Sequence, residues 1–194
     1  MVSAVIMASG YGKRMGQNKL LMPLKGKPVL EHVINSIKRC DFNEIILVGR
    51  DKEVLDLGFD KGISIVENHE AYKGQSQSIK LGVENANKNS EGYMFFTGDQ
   101  PFIDNRTINL LLGEHYENKD KIICPMYKGE RGSPVIFPSI YREALLNLQG
   151  DEGGRSIMKS NLEEIIFVQI EDGKILMDID TPEEYERLVG EFNE

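Results

Sequence analysis

The residues best suited to bind an anion lie together near the start of the chain. No Asp or Glu occurs before Glu31, although the whole chain carries a formal net charge of -8. Small residues let the backbone approach a ligand closely, backbone N–H groups bind phosphate oxygens, and Lys or Arg side chains offset the negative charge. The segment therefore predicts a polyphosphate site, with a tight turn and a solvated basic face as the structural alternative. The candidate residues are Ser9, Gly10, Gly12, Lys13, Arg14 and Lys19.

An apolar run, Val2–Ala8, precedes this segment and is typical of a strand buried on both faces. The glycines that follow this run do not have the spacing of the commonest phosphate-binding motifs. Glycines at 10, 12 and 16 are spaced one residue too widely for the dinucleotide-binding fingerprint, and the pattern also lacks the features of a P-loop.

A carboxylate that could hold a metal ion follows a later strand. Asp99 comes directly after the predicted strand Tyr93–Thr97, and ligands of open α/β sheets bind beyond the carboxyl ends of the strands. Asp178 and Asp180 are two residues apart, just before a helix that we expect Thr181 to cap. Because residues two apart in a strand point to the same side, we expect the two carboxylates to share one face of a strand. A turn aspartate is the structural alternative for Asp99.

Two further polar segments come next to predicted helices. Gln75 and Ser76 lie in a polar helix N-terminus, where we expect either hydrogen bonds to a nucleobase or ribose, or capping by Ser76 or Ser78. Arg155 follows the glycines of residues 150–154, where it could bind a second anion or pair with a neighbouring carboxylate.

Strands alternate with helical stretches along the chain, which predicts βαβ units and a mostly parallel sheet. Residues 29–37 show the apolar spacing of a helix that packs on such a sheet, and no linker or internal repeat divides the chain. We therefore expect residues 1–194 to form a single α/β domain, a three-layer αβα sandwich with a Rossmann-like sheet.

The composition of the chain limits which partners the protein could bind and in which cellular compartment it is expected. The acidic net charge argues against nonspecific binding to nucleic acid. Cys40 and Cys124 lack metal-ligand spacing and are expected to be reduced. The sequence shows no signal peptide and no apolar run long enough to span a membrane, which predicts a cytoplasmic protein without membrane contact.

Five motifs in order resemble those of the MobA-like NTP transferases, a family of the nucleotide-diphospho-sugar transferase type. The opening segment, from Ala8 to Lys19, looks most like the molybdenum cofactor cytidylyltransferase branch. Ser9 departs from the Ala usual in that branch and from the Gly usual in the guanylyltransferase branch. Ser133 stands where the family usually has His.

The resemblance implies transfer of CMP from CTP to the phosphate of molybdopterin, or molybdenum cofactor, with release of pyrophosphate. It implies Mg²⁺ as cofactor and a molybdenum hydroxylase as the recipient of the product. It further implies that Arg14, Lys19 and Asp99 are catalytic and that Asp99 and Asp180 bind the metal. The implied acceptor-binding residues are Gln100, Ser133 and Arg155. The implied nucleotide-binding residues are Ala8, Ser9, Gly10, Gly12, Lys13, Arg14, Lys19, Gln75, Ser76 and Asp99.

Three alternatives remain open at this point. The first is guanylyl transfer by the same fold, and the second is transfer to a sugar or polyol phosphate. The third belongs to another class: a module that binds NTP without turnover and serves in cofactor insertion, an alternative that Ser133 keeps open.

Overall fold

The computed structural model describes residues 1–11 and 18–191. Within these residues the strands are β1 (Val2–Ala8), β2 (Pro23–Leu24), β3 (Lys27–Pro28), β4 (Glu44–Gly49), β5 (Ser64–Glu67), β6 (Gly92–Thr97), β7 (Ile122–Tyr127), β8 (Glu130–Arg131), β9 (Val135–Pro138) and β10 (Ile165–Gln169). The α-helices are α1 (Val29–Ile37), α2 (Lys52–Asp60), α3 (Gln75–Asn85), α4 (Asn105–Glu117), α5 (Arg142–Leu146), α6 (Gly154–Ser160) and α7 (Pro182–Glu191).

One large sheet carries the fold, with strands in the order β10-β7-β9-β6-β1-β4-β5 and with β8 paired to β7. The pairs β1–β4, β1–β6, β4–β5 and β7–β10 are parallel, whereas β9 runs antiparallel between β6 and β7. The predicted mostly parallel sheet is therefore confirmed. The short strands β2 and β3 form a separate antiparallel pair.

Helices cover both faces of the sheet, because the strands are apolar on both sides. Along β1, Ala4 and Ile6 face the core that α1, α2 and α4 complete, while Val5 faces the core that α3, α5 and α6 complete. This alternation follows from the two-residue period of a strand. The three-layer αβα arrangement predicted from the sequence is thus confirmed.

Gly82 sets the distance between α3 and the sheet. A Cβ atom added there would lie 2.4 Å from Cγ1 of Val5, closer than real contacts allow. Only glycine lets the helix approach β1 this closely, and this approach places the first turn of α3 beside the carboxyl end of the sheet.

A third apolar cluster attaches the last helix to the rest of the domain. Ile179 and Leu188 pack with Met22, just before β2, with Leu24 of β2 and with Val29 at the start of α1. The backbone N–H of Ile179 also donates to the carbonyl oxygen of Asp99 over 3.1 Å.

The expectation that Asp178 and Asp180 share a strand face is wrong. A 3₁₀ helix, Gly173–Leu176, precedes them, and residues 177–180 pair with no strand among the described residues. The side chain of Ile179 enters the third apolar cluster, so this segment is held by packing and by the Asp99 carbonyl instead of by a sheet.

None of the helices in residues 1–11 and 18–191 combines the length and the apolar character needed to cross a membrane.

Candidate active site

A cleft of about 570 Å³ opens where the carboxyl ends of β1, β4 and β6 meet. After β1 the chain forms β4 and β5 on one side of it and then crosses to form β6 on the other side, which makes this point a topological switch of the sheet. Open α/β sheets bind their ligands at such switch points. The residues that line the cleft include Ala8, Gly10, Lys19, Arg50, Gln75 and Asp99.

Lys19 lies between two carboxylates that come from distant parts of the chain. Its Nζ atom is 2.5 Å from Oδ2 of Asp99 and 2.6 Å from Oδ1 of Asp180. The side chains of Lys19 and Asp99 are only 15% and 19% exposed, whereas Asp180 is half exposed. The structure therefore brings one predicted cation and both predicted metal ligands into one place.

The ammonium group of Lys19 stays charged in this surrounding. Burial disfavours the charge, but the carboxylates of Asp99 and Asp180 more than offset that effect, and the pKa of Lys19 is raised. The site therefore keeps a fixed positive charge at neutral pH, which is suited to a phosphate oxygen.

Local structure fixes the position of Lys19. It begins a short 3₁₀ helix, Lys19–Leu21, and the side chain of Asn18 accepts a hydrogen bond from the N–H of Leu20 over 3.1 Å. An Asn in this position satisfies a donor that the helix itself leaves free. The helix then enters the core through Leu20, which is buried.

The carboxylates of the site fit a divalent cation. Mg²⁺ binds through one or two carboxylates together with substrate phosphates, and Asp99 and Asp180 supply two whose oxygens already share one cation partner. Asp178 adds a third carboxyl nearby: the crowding of protein atoms around it, and then the charge of Asp99, raise its pKa to about 6. Across the described residues, no group of three or more side chains has the geometry of a complete metal site.

The predicted nucleotide-binding residues that the structure describes divide into two groups. Ala8, Ser9, Gly10, Lys19, Gln75 and Asp99 line the cleft, although the hydroxyl of Ser9 donates to the carbonyl oxygen of Val48 over 3.1 Å. Ser76 is buried and does not line it, and its backbone N–H donates to the carbonyl oxygen of Gly150. Gly12, Lys13 and Arg14 lie outside the described residues.

The expected capping of α3 by Ser76 or Ser78 is wrong. The helix begins at Gln75 with Gly74 at the N-cap, and no side chain caps it. Gly74 has a φ of +99°, which favours glycine, and a Cβ atom there would lie 2.3 Å from the carbonyl oxygen of Gly150. Ser78 instead lines the cleft and accepts a hydrogen bond from Asn68 over 3.1 Å.

The predicted acceptor-binding residues lie beside the cleft instead of lining it. Ser133 donates to Oε1 of Gln100 over 2.6 Å, and Nε2 of Gln100 donates to the carbonyl oxygen of Leu176 over 3.2 Å. Arg155 is exposed on the first turn of α6, and it forms no ion pair with another described residue. Its guanidinium group is therefore available to an anion.

Sequence reasoning missed three residues of the cleft wall. Arg50 and Asp51 follow β4 directly, and Asn18 joins Asp51 to the segment that holds Lys19. The signal was present, since charged residues directly after a buried strand are placed like Asp99 at the ligand-binding edge of the sheet.

The sheet is mostly parallel, has helices on both faces and opens a cleft at its switch point, with a charged group after β6. These features define an α/β nucleotide-binding protein. The model of the MobA-like NTP transferase domain matches residues 4–165. The chain belongs to this family and is a nucleotidyltransferase of the MobA-like type. The matched span ends before Asp178 and Asp180.

Three similar proteins illustrate the relationship. Purine catabolism protein PucB of Bacillus subtilis is 31% identical over 95% of this chain and 94% of its own length. A protein of Natranaerobius thermophilus named "Probable molybdenum cofactor guanylyltransferase" is 34% identical over 66% of this chain and 62% of its own length. The structure of a nucleotidyl transferase from Methanothermobacter superposes with a TM-score of 0.84 over 100% of this chain and 98% of its own, at 23% identity.

Proposed function

We propose that the protein transfers CMP from CTP to the phosphate of molybdopterin or molybdenum cofactor and releases pyrophosphate. An oxygen of the acceptor phosphate attacks the α-phosphorus in line, and the bond from that phosphorus to the pyrophosphate oxygen breaks. No covalent intermediate with the protein is required.

The observation that carries the proposal is the position of Lys19 between Asp99 and Asp180 in the cleft. Two polyanions must meet in this reaction, so the protein contributes mainly charge and alignment. A lysine whose charge is held by two carboxylates is aligned before the substrate arrives, and its N–H groups can turn from one carboxylate to a phosphate oxygen.

Asp99 and Asp180 are the residues that would hold Mg²⁺. When bound, Mg²⁺ neutralises phosphate charge and makes the α-phosphorus more electrophilic. Asp99 is fixed for this role by its backbone, whose carbonyl oxygen is bonded by the N–H of Ile179. Arg155, exposed and without an ion-pair partner among the described residues, would bind the acceptor phosphate.

Guanylyl transfer is the second candidate, since a relative carries that activity in its name. Within the cleft, the hydroxyl of Ser9 donates to the Val48 carbonyl, which leaves only its acceptor lone pairs for a base and gives little discrimination between CTP and GTP. We therefore propose CTP from the resemblance of the opening motif, and parallel assays with GTP test it directly.

A screen of nucleotide and acceptor pairs tests the function. The protein is incubated with CTP, GTP or ATP, each with Mg²⁺ and molybdopterin or a simpler sugar or polyol phosphate. Mass spectrometry detects the condensed dinucleotide, and a coupled assay detects pyrophosphate. We expect product with CTP and molybdopterin, and none with EDTA present.

The other outcomes each identify a different function. Product with GTP alone would replace cytidylyl by guanylyl transfer, and product with a sugar phosphate would replace the acceptor. Binding of CTP without formation of any product would contradict the proposed enzymatic activity and favour a module that binds NTP without turnover. A molybdenum hydroxylase as recipient is tested separately, by following transfer of the labelled product to such an enzyme.

A further inference from the structure

Asp51 occupies the N-cap of α2 without capping it. Its backbone is extended, with φ −86° and ψ 134°, but its side chain accepts no hydrogen bond from the first turn of the helix. Asp at this position normally accepts such a bond, which stabilises the helix. The carboxylate of Asp51 is used elsewhere, on the wall of the nucleotide cleft.

The partners of Asp51 come from two parts of the chain. Nε and Nη2 of Arg50 each donate to the carboxylate over 3.1 Å. Nδ2 of Asn18 donates to Oδ2 over 2.9 Å. We call these three residues, Asn18, Arg50 and Asp51, the Asp51 network. Hydrogen bonds to a charged group are the stronger ones, so the network joins the end of β4 firmly to the segment that precedes Lys19.

Tyr11 and Asn18, the described residues on either side of residues 12–17, both contact this network. The guanidinium carbon of Arg50 lies 4.1 Å from the ring centroid of Tyr11, which is a cation–π contact. On the other side, Asn18 bonds Asp51 through its amide nitrogen and caps the helix of Lys19 through its amide oxygen. A single side chain, Asp51, thus fixes Asn18 directly and Tyr11 through Arg50.

We propose that Asp51 is a positioning residue for nucleotide binding, acting through Asn18 on Lys19. The inference rests on the proposed function, because it gives the Asp51 network a role in binding the NTP that Lys19 contacts. With the network intact, Lys19 is in place before the nucleotide arrives. Without the network, Asn18 and Lys19 must be brought into position while the nucleotide binds, and this ordering lowers the affinity.

The expected signature is a change in affinity with little change in turnover. Once the nucleotide is bound, a phosphate oxygen and the remaining carboxylate hold Lys19, so the bound state is the same with or without Asp51. Loss of a preorganising contact therefore raises KM and leaves kcat nearly unchanged.

Asp51→Ser is the informative variant. Serine is as good an N-cap as aspartate, so the start of α2 is preserved, while its short side chain reaches neither Asn18 nor Arg50. Asn18→Ser breaks the same connection from the other side, because it removes the amide that donates to Asp51. Serine keeps an oxygen that can accept from the N–H of Leu20, so the cap of the Lys19 helix is retained, and α2 is untouched. Asp56→Ser is the matched control, because Asp56 lies on the same helix and pairs with the exposed Lys52, away from the cleft lining.

Calorimetry gives Kd for CTP with Mg²⁺, and pyrophosphate release gives KM and kcat. We expect Asp51→Ser and Asn18→Ser each to raise Kd and KM about tenfold, with kcat within about twofold of wild type. The double variant should bind no more weakly than Asp51→Ser alone, because both substitutions remove the bond between Asn18 and Asp51. Asp56→Ser should match wild type, and thermal melting checks the fold of all four variants.

A Kd within about twofold of wild type in Asp51→Ser and in Asn18→Ser would overturn the proposal, as would additive losses in the double variant. If Asp51→Ser fails to fold, Asn18→Ser decides, because it keeps the cap of the Lys19 helix. A wild-type protein that binds CTP without turnover defeats the proposed function, yet the Kd comparison still decides on Asp51. A wild-type protein that binds no NTP contradicts both.

Discussion

Lys19 and Asp180 are 161 residues apart in the sequence, yet Nζ of Lys19 donates to Oδ1 of Asp180 over 2.6 Å. Asp180 reaches Lys19 because Ile179 is buried beside the β2–β3 pair and bonds the backbone of Asp99. The charged centre of the cleft is therefore assembled from three separate segments of the chain, and each of them can be tested by substitution.

Lys19→Ala should abolish most turnover without unfolding the protein. The ammonium group supplies charge where the leaving pyrophosphate develops its own, and loss of one such contact typically costs about 100-fold or more in kcat. Steady-state pyrophosphate release measures the effect. Lys52→Ala is the control, since Lys52 carries an exposed ion pair with Asp56 on α2. Wild-type kcat in Lys19→Ala at saturating CTP and Mg²⁺ would remove Lys19 from the reaction.

Asp99→Asn and Asp180→Asn should raise the Mg²⁺ concentration needed for half-maximal activity. Each replaces a charged oxygen ligand by a neutral amide, which Mg²⁺ binds less well, and we expect a shift of about tenfold or more. Titration of Mg²⁺ at fixed CTP measures it. Asp56→Asn, an exposed carboxylate on α2, should leave the titration unchanged. An unaltered Mg²⁺ requirement in both site variants would exclude these residues as metal ligands.

Arg155→Ala should weaken binding of the acceptor and leave binding of the nucleotide unchanged. Its side chain is exposed on α6 and has no ion-pair partner among the described residues, so its removal breaks no ion pair there. We expect KM for the acceptor to rise about tenfold, while KM for CTP stays constant. Lys159→Ala removes an exposed cation from the same helix and serves as control. Equal changes in both KM values would contradict a role confined to the acceptor.

His115 should make the protein less stable in mild acid. It is fully buried on α4, and neither ring nitrogen has a hydrogen-bond partner among the described residues. Burial lowers its pKa below the ordinary 6.5, with Lys119 and the amino terminus adding to the effect and Glu91 opposing it. The unfolded chain therefore binds a proton first, so stability is full above about pH 6.5 and falls as the pH drops toward the folded-state pKa.

Urea unfolding from about pH 7.5 to about pH 5.5 measures the effect of His115. Asp178 acts in the opposite direction in acid, because its raised pKa favours the folded state when it is protonated. The comparison is therefore with His115→Leu, which retains Asp178 and should lose the part of the pH dependence that His115 causes. His69→Asn removes an exposed histidine and should keep the wild-type dependence. The same pH dependence in wild type and His115→Leu would refute this assignment.

The sheet and its layers could be predicted from the sequence because their signals are local. The apolar run of β1 and the helical spacing of α1 depend on near neighbours, and both elements are present. Asp99 was placed correctly at the end of a strand by the same logic. These predictions needed only the period of each element and a general rule of α/β sheets.

Other features depend on contacts that the sequence does not display. The N-cap of α3 is glycine because the backbone of Gly150 lies against it, and this neighbour is distant in sequence. The segment around Asp180 resembles a strand by alternation, but packing of Ile179 decides its course. The Asp51 network was missed for the same reason, since Asn18 and Asp51 meet only after folding.

The bond between Ile179 and the Asp99 carbonyl has a consequence for synthesis on the ribosome. A nascent chain that ends before residue 180 already contains β1, β4 and β6, and with them the cleft wall, but Lys19 then has a single carboxylate partner. Translation must therefore proceed past Asp180 before the charged centre exists, so a prematurely released fragment of the polypeptide lacks the Lys19–Asp180 ion pair even where its sheet has formed.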